Sequence, residues 1–319
     1  MIGEICYWIF NMSIAASVMG LLVLLIRKLK FMPRRVSVFL WIVPFVRMVC
    51  PLAFGSRYSL MSLISRFTTR TVTVYQPTDS ISIAAMNVIQ AAESYSPITY
   101  KVNVLERVFK IAGLVWLIIA SALIIALGIM YVTTMRAIRD AKPLRPKASG
   151  GSEVSDACSI DNVYTSDRVD SPAVYGIIKP RIVLPGPCPE KDMEYILRHE
   201  NTHIRRGDNL WRLLGFLTAA IHWFNPLSWV FLKAFLADIE LACDERAIAG
   251  YGKEEQKEYA RTLLACARGK SLFVSAFGGA KVRTRIENIL SYKKMTAFSA
   301  AGFTVLIAVI IFTLITNAG

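Results

Sequence analysis

Histidine is nearly missing from this sequence, with three residues in 319. Any chemistry that needs imidazole is therefore confined to His199, His203 and His222. Acids are also short, 23 Asp and Glu against 37 Lys and Arg, which leaves a formal charge of +14. Such an excess is common in nucleic-acid-binding proteins, but no basic helix or aromatic-interleaved patch of that kind occurs. The basic residues instead cluster beside apolar runs and read as topogenic charge, so direct nucleic-acid binding is not expected. Charge of either sign is thin, 19% of residues against 54% hydrophobic, and the mean hydropathy is +0.45. That balance argues against an ordinary soluble domain. The six cysteines, at 6, 50, 158, 188, 243 and 266, lack paired spacing, which argues against a disulfide framework and leaves them as reduced packing residues.

What is present is a series of apolar runs with basic flanks. Ile5 to Ile26 is 22 residues without a charge, about 33 Å as a helix against a hydrocarbon core of about 30 Å. It has Glu4 in place of a basic leader and no small-residue cleavage site, so it reads as an anchor rather than a signal peptide. Arg27, Lys28, Lys30, Arg34 and Arg35 form a cytoplasmic turn into a second run, Val36 to Phe54, in which Arg47 is expected to snorkel toward the far interface. Residues 1–54 are thus two spans, and 55–107 is an extracytoplasmic loop of mixed polarity. Residues 108–135 hold a third span, with Ile111 to Met135 uncharged, and Arg136, Arg139, Lys142, Arg145 and Lys147 follow on the inside. Lys142 to Ser152 reads as a linker into a cytoplasmic domain over 136–295. A fourth span occupies 296–319, which places both termini outside the cytoplasm.

The cytoplasmic part opens with short β-like stretches at Asn162–Thr165, Ala173–Ile178 and Arg181–Pro185, read as a small twisted sheet. A helix of about eighteen residues follows, with acids at 190, 192 and 194 near its start and Arg205, Arg206 and Gly207 at its end. It carries His199-Glu200-Asn201-Thr202-His203, an H-E-x-x-H pattern. Two histidines four apart share one helix face and supply two corners of a tetrahedral zinc site, with Glu200 beside them as general base toward the attacking water. A catalytic zinc needs a third protein ligand. His222 lies in the apolar run Leu213 to Leu232 and reads as a hydrogen-bonded core histidine. Glu240 is the better candidate, and Asp244, one turn further along, is placed to accept the free ring N–H of a ligand histidine.

A straight crossing by the 20 residues from Leu213 to Leu232 would carry Glu240 about 30 Å from the histidines. Asn225-Pro226 near its middle predicts instead a re-entrant hairpin of two half-helices, since proline removes a backbone donor there. Charge parity agrees, because Lys281, Arg283, Arg285, Lys293 and Lys294 must share a side with the 136–147 cluster. The expected fold is a mainly α membrane protein: four transmembrane helices, a cytoplasm-facing α+β zinc protease domain and a re-entrant helical hairpin.

The chain resembles the BlaR/MecR-type antirepressor metallopeptidases, integral-membrane zinc proteases of gluzincin type. The resemblance rests on the 199–203 motif with Arg206 and Asp208 after it, on Trp223-Phe224-Asn225-Pro226-Leu227, on Glu240-Leu241-Ala242-Cys243-Asp244, and on the stretch Gly176 to Pro185. It implies Zn2+ held by His199, His203 and Glu240, with Glu200 as base. It also implies a protease triggered from outside that cleaves itself or a cytosolic repressor in antibiotic-resistance signalling. The expected partners are the bilayer and that protein substrate, and a homodimer is compatible with the sequence. Founding members continue into an extracellular penicillin-binding sensor domain. Here the sequence stops at Gly319 with no Ser-x-x-Lys motif on the outer side, so either the chain is a truncation or the signal arrives by another route. Two other readings remain open, a housekeeping membrane metalloprotease and a catalytically silent receptor or scaffold with a structural zinc.

Overall fold

The computed structural model describes residues 2–29, 32–50, 55–56, 104–144, 162–186, 190–266 and 280–292, with isolated positions at 302–303, 305, 308 and 317–318. Nearly all of the expected extracytoplasmic loop and most of the last apolar run lie outside these residues.

Among the described residues two helices are long and apolar enough to cross a membrane, Ile2–Ile26 and Val108–Ala137. The first is α1 (Ile2–Ile26); the second belongs to α4 (Val104–Ala137). They pack on each other, with Tyr7 edge-on to Phe109 at 5.4 Å between ring centroids. The rest of α4 leaves Ile111, Ile118, Ile125 and Ile129 exposed, as an outer helix in lipid does. The second apolar run is not one straight helix. It divides at Trp41 into α2 (Arg34–Leu40) and α3 (Ile42–Val49). Pro44 is the physical reason, because it has no N–H for the carbonyl of Leu40 and its ring crowds that carbonyl. Arg47 does not snorkel as expected; it is buried at 5% exposure in the face that α3 turns inward.

A four-stranded sheet follows, ordered β2-β3-β5-β4. It comprises β2 (Lys142–Pro143), β3 (Val163–Thr165), β4 (Ala173–Tyr175) and β5 (Arg181–Leu184), while β1 (Gly55–Ser56) pairs elsewhere with β6 (Asn317–Ala318). β3 and β5 are parallel, and β2 and β4 are antiparallel edges. The residues Lys142 and Pro143, read as linker, thus form an edge strand, a place that tolerates proline. Val163, Ile182 and Leu184 bury one sheet face against Ile196 of α5 (Glu190–Arg206).

From α5 the chain turns at Gly207, whose φ of +64° is left-handed, directly into α6 (Asp208–Ile221). Residues 213–232 are two helices, as Asn225-Pro226 predicts: α6 and α7 (Pro226–Ala247) are joined by a short turn. Asn225 caps α7 by accepting from Leu227 N at 3.0 Å, and Pro226 occupies the first turn, where a missing N–H is harmless. The turn's polar groups find partners on the surrounding helices. Asn225 Nδ2 donates to Ser13 and Ser17 of α1, both at 2.8 Å. Trp116 Nε1 of α4 donates to Ile221 O at 2.7 Å, and His222 Nε2 lies 3.0 Å from Met48 O of α3. Unpaired, such groups each cost several kcal/mol inside a bilayer. His222 is a fully buried, hydrogen-bonded histidine, as expected of it. α8 (Lys253–Cys266) and α9 (Val282–Leu290) complete the fold against α5 and α7.

Candidate metal centre

His199 and His203 project from one face of α5 toward α7, with their rings at 89° and their Nε2 atoms 3.1 Å apart. Glu240 of α7 faces the same point, with Oε2 3.9 Å from His199 Nε2 and Oε1 3.8 Å from His203 Nε2. Donor atoms around a tetrahedral zinc, each at about 2.0–2.1 Å, stand about 3.3 Å from one another, so these spacings fit a metal with little adjustment. Both histidines are buried, at 9% and 5% exposure, which restricts solvent competition for the site.

The far ring nitrogens are also held. His203 Nδ1 lies 2.6 Å from Asp208 Oδ2, which orients the ring and leaves Nε2 to face Glu240. His199 Nδ1 meets Tyr259 Oη at 2.8 Å and Asp244 Oδ1 at 3.3 Å, and Tyr259 in turn donates to Asp244 at 2.8 Å. Asp244 thus lies beside one of the two histidines, His199, but Tyr259 makes the shorter contact. Asp208, Tyr259 and Arg285 are functional candidates that the residue-by-residue reading leaves without a role. Asp208 carries a local signal, an acid just past the motif and after a glycine turn. Tyr259 and Arg285 lie 60 and 86 residues from His199, beyond any helical spacing.

Cys243 introduces a second possible donor set, since His199, His203 and Cys243 also offer atoms within 4.8 Å of one another. Its Sγ reaches His199 at Nδ1, 3.7 Å away, and the carbonyl of His199 at 3.5 Å. That is the side of the ring which Tyr259 already occupies, whereas Glu240 meets both Nε2 atoms. Both sets share the two histidines; Cys243 contacts each of them, and Glu240 is the acid that faces both Nε2 atoms.

Both anions and cations crowd this point. Burial pushes the Glu240 carboxyl up, but His203, Arg285 and Arg212 outweigh it and hold it at about 2. Burial likewise opposes protonation of His203, yet Cys243, Glu240 and Asp208 raise it to about 9. The anions that keep protons on these rings are the anions a divalent cation meets when it displaces those protons. Arg212 Nη2 sits 2.5 Å from Glu240 Oε1. Arg285 grips Asp244 through two bonds of 2.8 Å, and its Nη2 is 3.2 Å from His199 Nε2. Glu200, at 7% exposure, makes no hydrogen bond or ion pair among the described residues, and its charge is felt at Tyr175 on β4. The outward carbonyls of Val174 and Gly176 beside that strand accept from Asn209 Nδ2 at 3.1 and 2.9 Å, so this sheet edge is already stitched to α6.

The family profile described as BlaR1 peptidase M56 matches residues 7–289. Among curated relatives, the methicillin resistance mecR1 protein of Staphylococcus aureus (strain Mu50 / ATCC 700699) is 28% identical over 141 residues, 41% of this chain and 24% of the relative. The regulatory protein BlaR1 of Bacillus licheniformis is 27% identical over 160 residues, 46% of this chain and 27% of the relative. The matched stretch thus spans about a quarter of the length of each. With the profile covering most of its length, this chain belongs to the BlaR1 peptidase M56 family, a family of metallopeptidases with membrane helices.

Proposed function

We propose that this chain is a membrane-embedded zinc metalloendopeptidase of signal transduction, whose substrate is the chain itself, a cytosolic repressor, or both. The observation that carries the reading is the convergence of His199 Nε2, His203 Nε2 and the Glu240 carboxylate within 3.1–3.9 Å, next to an unengaged Glu200. Two imidazoles and one carboxylate are a donor set that suits zinc and leaves a position open for reaction. His199, His203 and Glu240 would hold the ion, which when bound supplies Lewis-acid activation of a water and of the scissile carbonyl.

The protein's own residues supply the rest. Asp208 fixes the tautomer of His203, and Tyr259 with Asp244 fixes that of His199, so both present Nε2 to the shared point. Glu200 takes the proton from the attacking water and passes it to the leaving amine, a role suited to a carboxylate that nothing else holds. Arg285, tethered by Asp244, places a fixed positive charge where negative charge develops on the carbonyl oxygen. Under this reading the protease part and the basic loops share the cytoplasmic side, and α6 with α7 dips into the membrane without crossing it.

The test uses full-length protein purified in lipid discs and incubated with candidate repressors and with unfolded peptide. Zinc-dependent cleavage of a repressor or of the chain itself supports the signalling role. Equal cleavage of any unfolded peptide points to quality control, and no cleavage by the zinc-loaded protein overturns the enzymatic reading.

A further inference from the structure

α7 has two working faces. Glu240 and Asp244, one turn apart, look toward the histidines. Asp238 and Glu245, seven residues and thus two turns apart, lie together about 200° round the helix from Glu240. Both of these acids hold the turn between α1 and α2. Asp238 is fully buried and accepts three hydrogen bonds: from Arg27 Nε at 3.0 Å, Arg27 Nη2 at 2.7 Å and Trp41 Nε1 at 2.8 Å. The Glu245 carboxylate accepts from the backbone N–H of Arg34 at 3.1 Å to each oxygen, at the start of α2, where a helix favours negative charge. Arg35 Nη2 returns to Glu245 O at 2.8 Å.

Above this clamp, α1 and α7 run side by side in the same direction. The pairings advance together, Ser13 and Ser17 with Asn225, then Gly20 with Phe231, then Arg27 with Asp238. At Gly20 the approach is so close that a Cβ would lie 2.2 Å from the Phe231 ring, so the two helices cannot slide independently.

We propose that Arg27, through its partly buried ion pair with the fully buried Asp238, is a positioning residue for the metal centre: it sets the place of Glu240 relative to the histidines on α5. This inference rests on the metal reading above. The physical basis is that the two ends of the coupling are two residues apart on one rigid helix. A metal ligand must be held within about 0.5 Å to be effective, a displacement small beside the length of the Arg27 side chain. Losing Arg27 takes two of its three hydrogen bonds from the fully buried Asp238 carboxylate, which gives α7 a reason to move. Because Arg27 ends a membrane-spanning helix, the same contact links the depth and rotation of α1 to the geometry of the site.

The experiment measures zinc affinity by chelator competition, and the visible spectrum with cobalt(II), on full-length protein in lipid discs. Arg27→Gln should weaken zinc binding on the order of tenfold, the low end for residues that orient metal ligands, and shift the cobalt spectrum. Arg27→Lys should fall between, since an ammonium supplies the charge without the paired bonds. Asn225→Ala, at the opposite end of the same seam, should bind zinc as wild type does. A wild-type protein that binds zinc beside an Arg27→Gln protein of equal affinity and spectrum overturns the inference alone. Equal weakening by Asn225→Ala overturns it too, by showing general loosening. If Arg27→Gln does not fold, Trp41→Phe, which removes one N–H from Asp238, decides in its place, and wild-type affinity there overturns the proposal. A wild-type protein that binds no metal overturns the site reading along with the inference.

Discussion

Glu200 and Glu240 are both acids near the two histidines, yet their surroundings assign them different work. Glu240 is drawn into a ring of His203, Arg285 and Arg212 and stays ionised, as a ligand must. Glu200, buried at 7% exposure, has no such partners among the described residues. Glu200→Ala is therefore expected to keep the fold and the zinc while peptide cleavage drops by at least about 100-fold, the usual scale for a lost general base. Metal analysis and a peptide-hydrolysis assay on the same sample check this. Glu240→Gln is expected to lose zinc, and full occupancy on metal analysis would show that the ion is held by another donor. Asp208→Asn should weaken zinc binding about 10- to 100-fold, because a carboxamide at 2.6 Å from His203 Nδ1 lacks the charge that orients and enriches the ring.

At the scale of elements, the centre is a junction of α5, α7 and α9, tied chiefly by Arg285 and Asp244. Burial acts against the Asp244 carboxylate, but Arg285 reverses this and holds its pKa below the ordinary carboxylate range. Groups with depressed folded pKa values stabilise above their unfolded values and lose that contribution as pH falls through the folded ones. For Asp244 and Glu240 the loss therefore begins below about 4.5 and continues past 2. His203 has the opposite sign, since its pKa is raised to about 9. Its contribution is full below about 6.5 and is lost as pH rises through 9. Metal-free protein should thus melt highest between about pH 4.5 and 6.5. Added zinc should shift that maximum to higher pH, because the rings bind metal only when deprotonated. Thermal melts of chelator-treated and zinc-loaded samples across pH 4 to 9 test both limbs. The motif helix and the break at Asn225-Pro226 were legible in the sequence because both are local, one a four-residue spacing and the other a proline. Tyr259 and Arg285 were not, because only tertiary packing of α8 and α9 brings them to His199. Nor was the break at Trp41, since Pro44 sits inside a run otherwise apolar enough to span.

For the whole molecule, the site joins α5 and α9 to α7, which leaves a helical hairpin whose turn is held by α1, α3 and α4. Bringing Glu240 back to the histidines requires residues 213–232 to bend, and the polar contacts of the turn supply an independent cause. Asn225, His222 and the Ile221 carbonyl each find a partner on a different surrounding helix. A turn placed in lipid requires such partners. This fixes an expectation for labelling in intact vesicles prepared with the cytoplasmic face outward. Single cysteines placed at Lys142 on the edge strand and at Arg198 on the exposed side of α5 should react with a membrane-impermeant maleimide. A cysteine at Ser228, buried just past the turn at 1% exposure, should stay unreactive from either face until detergent is added. If α6 and α7 instead crossed the bilayer as one span, the turn would lie at mid-depth but cysteines at Lys142 and Glu254, both exposed, would label from opposite faces. Labelling of Lys142 and Glu254 positions from the same face, with Ser228 silent, is the pattern that a non-crossing hairpin requires.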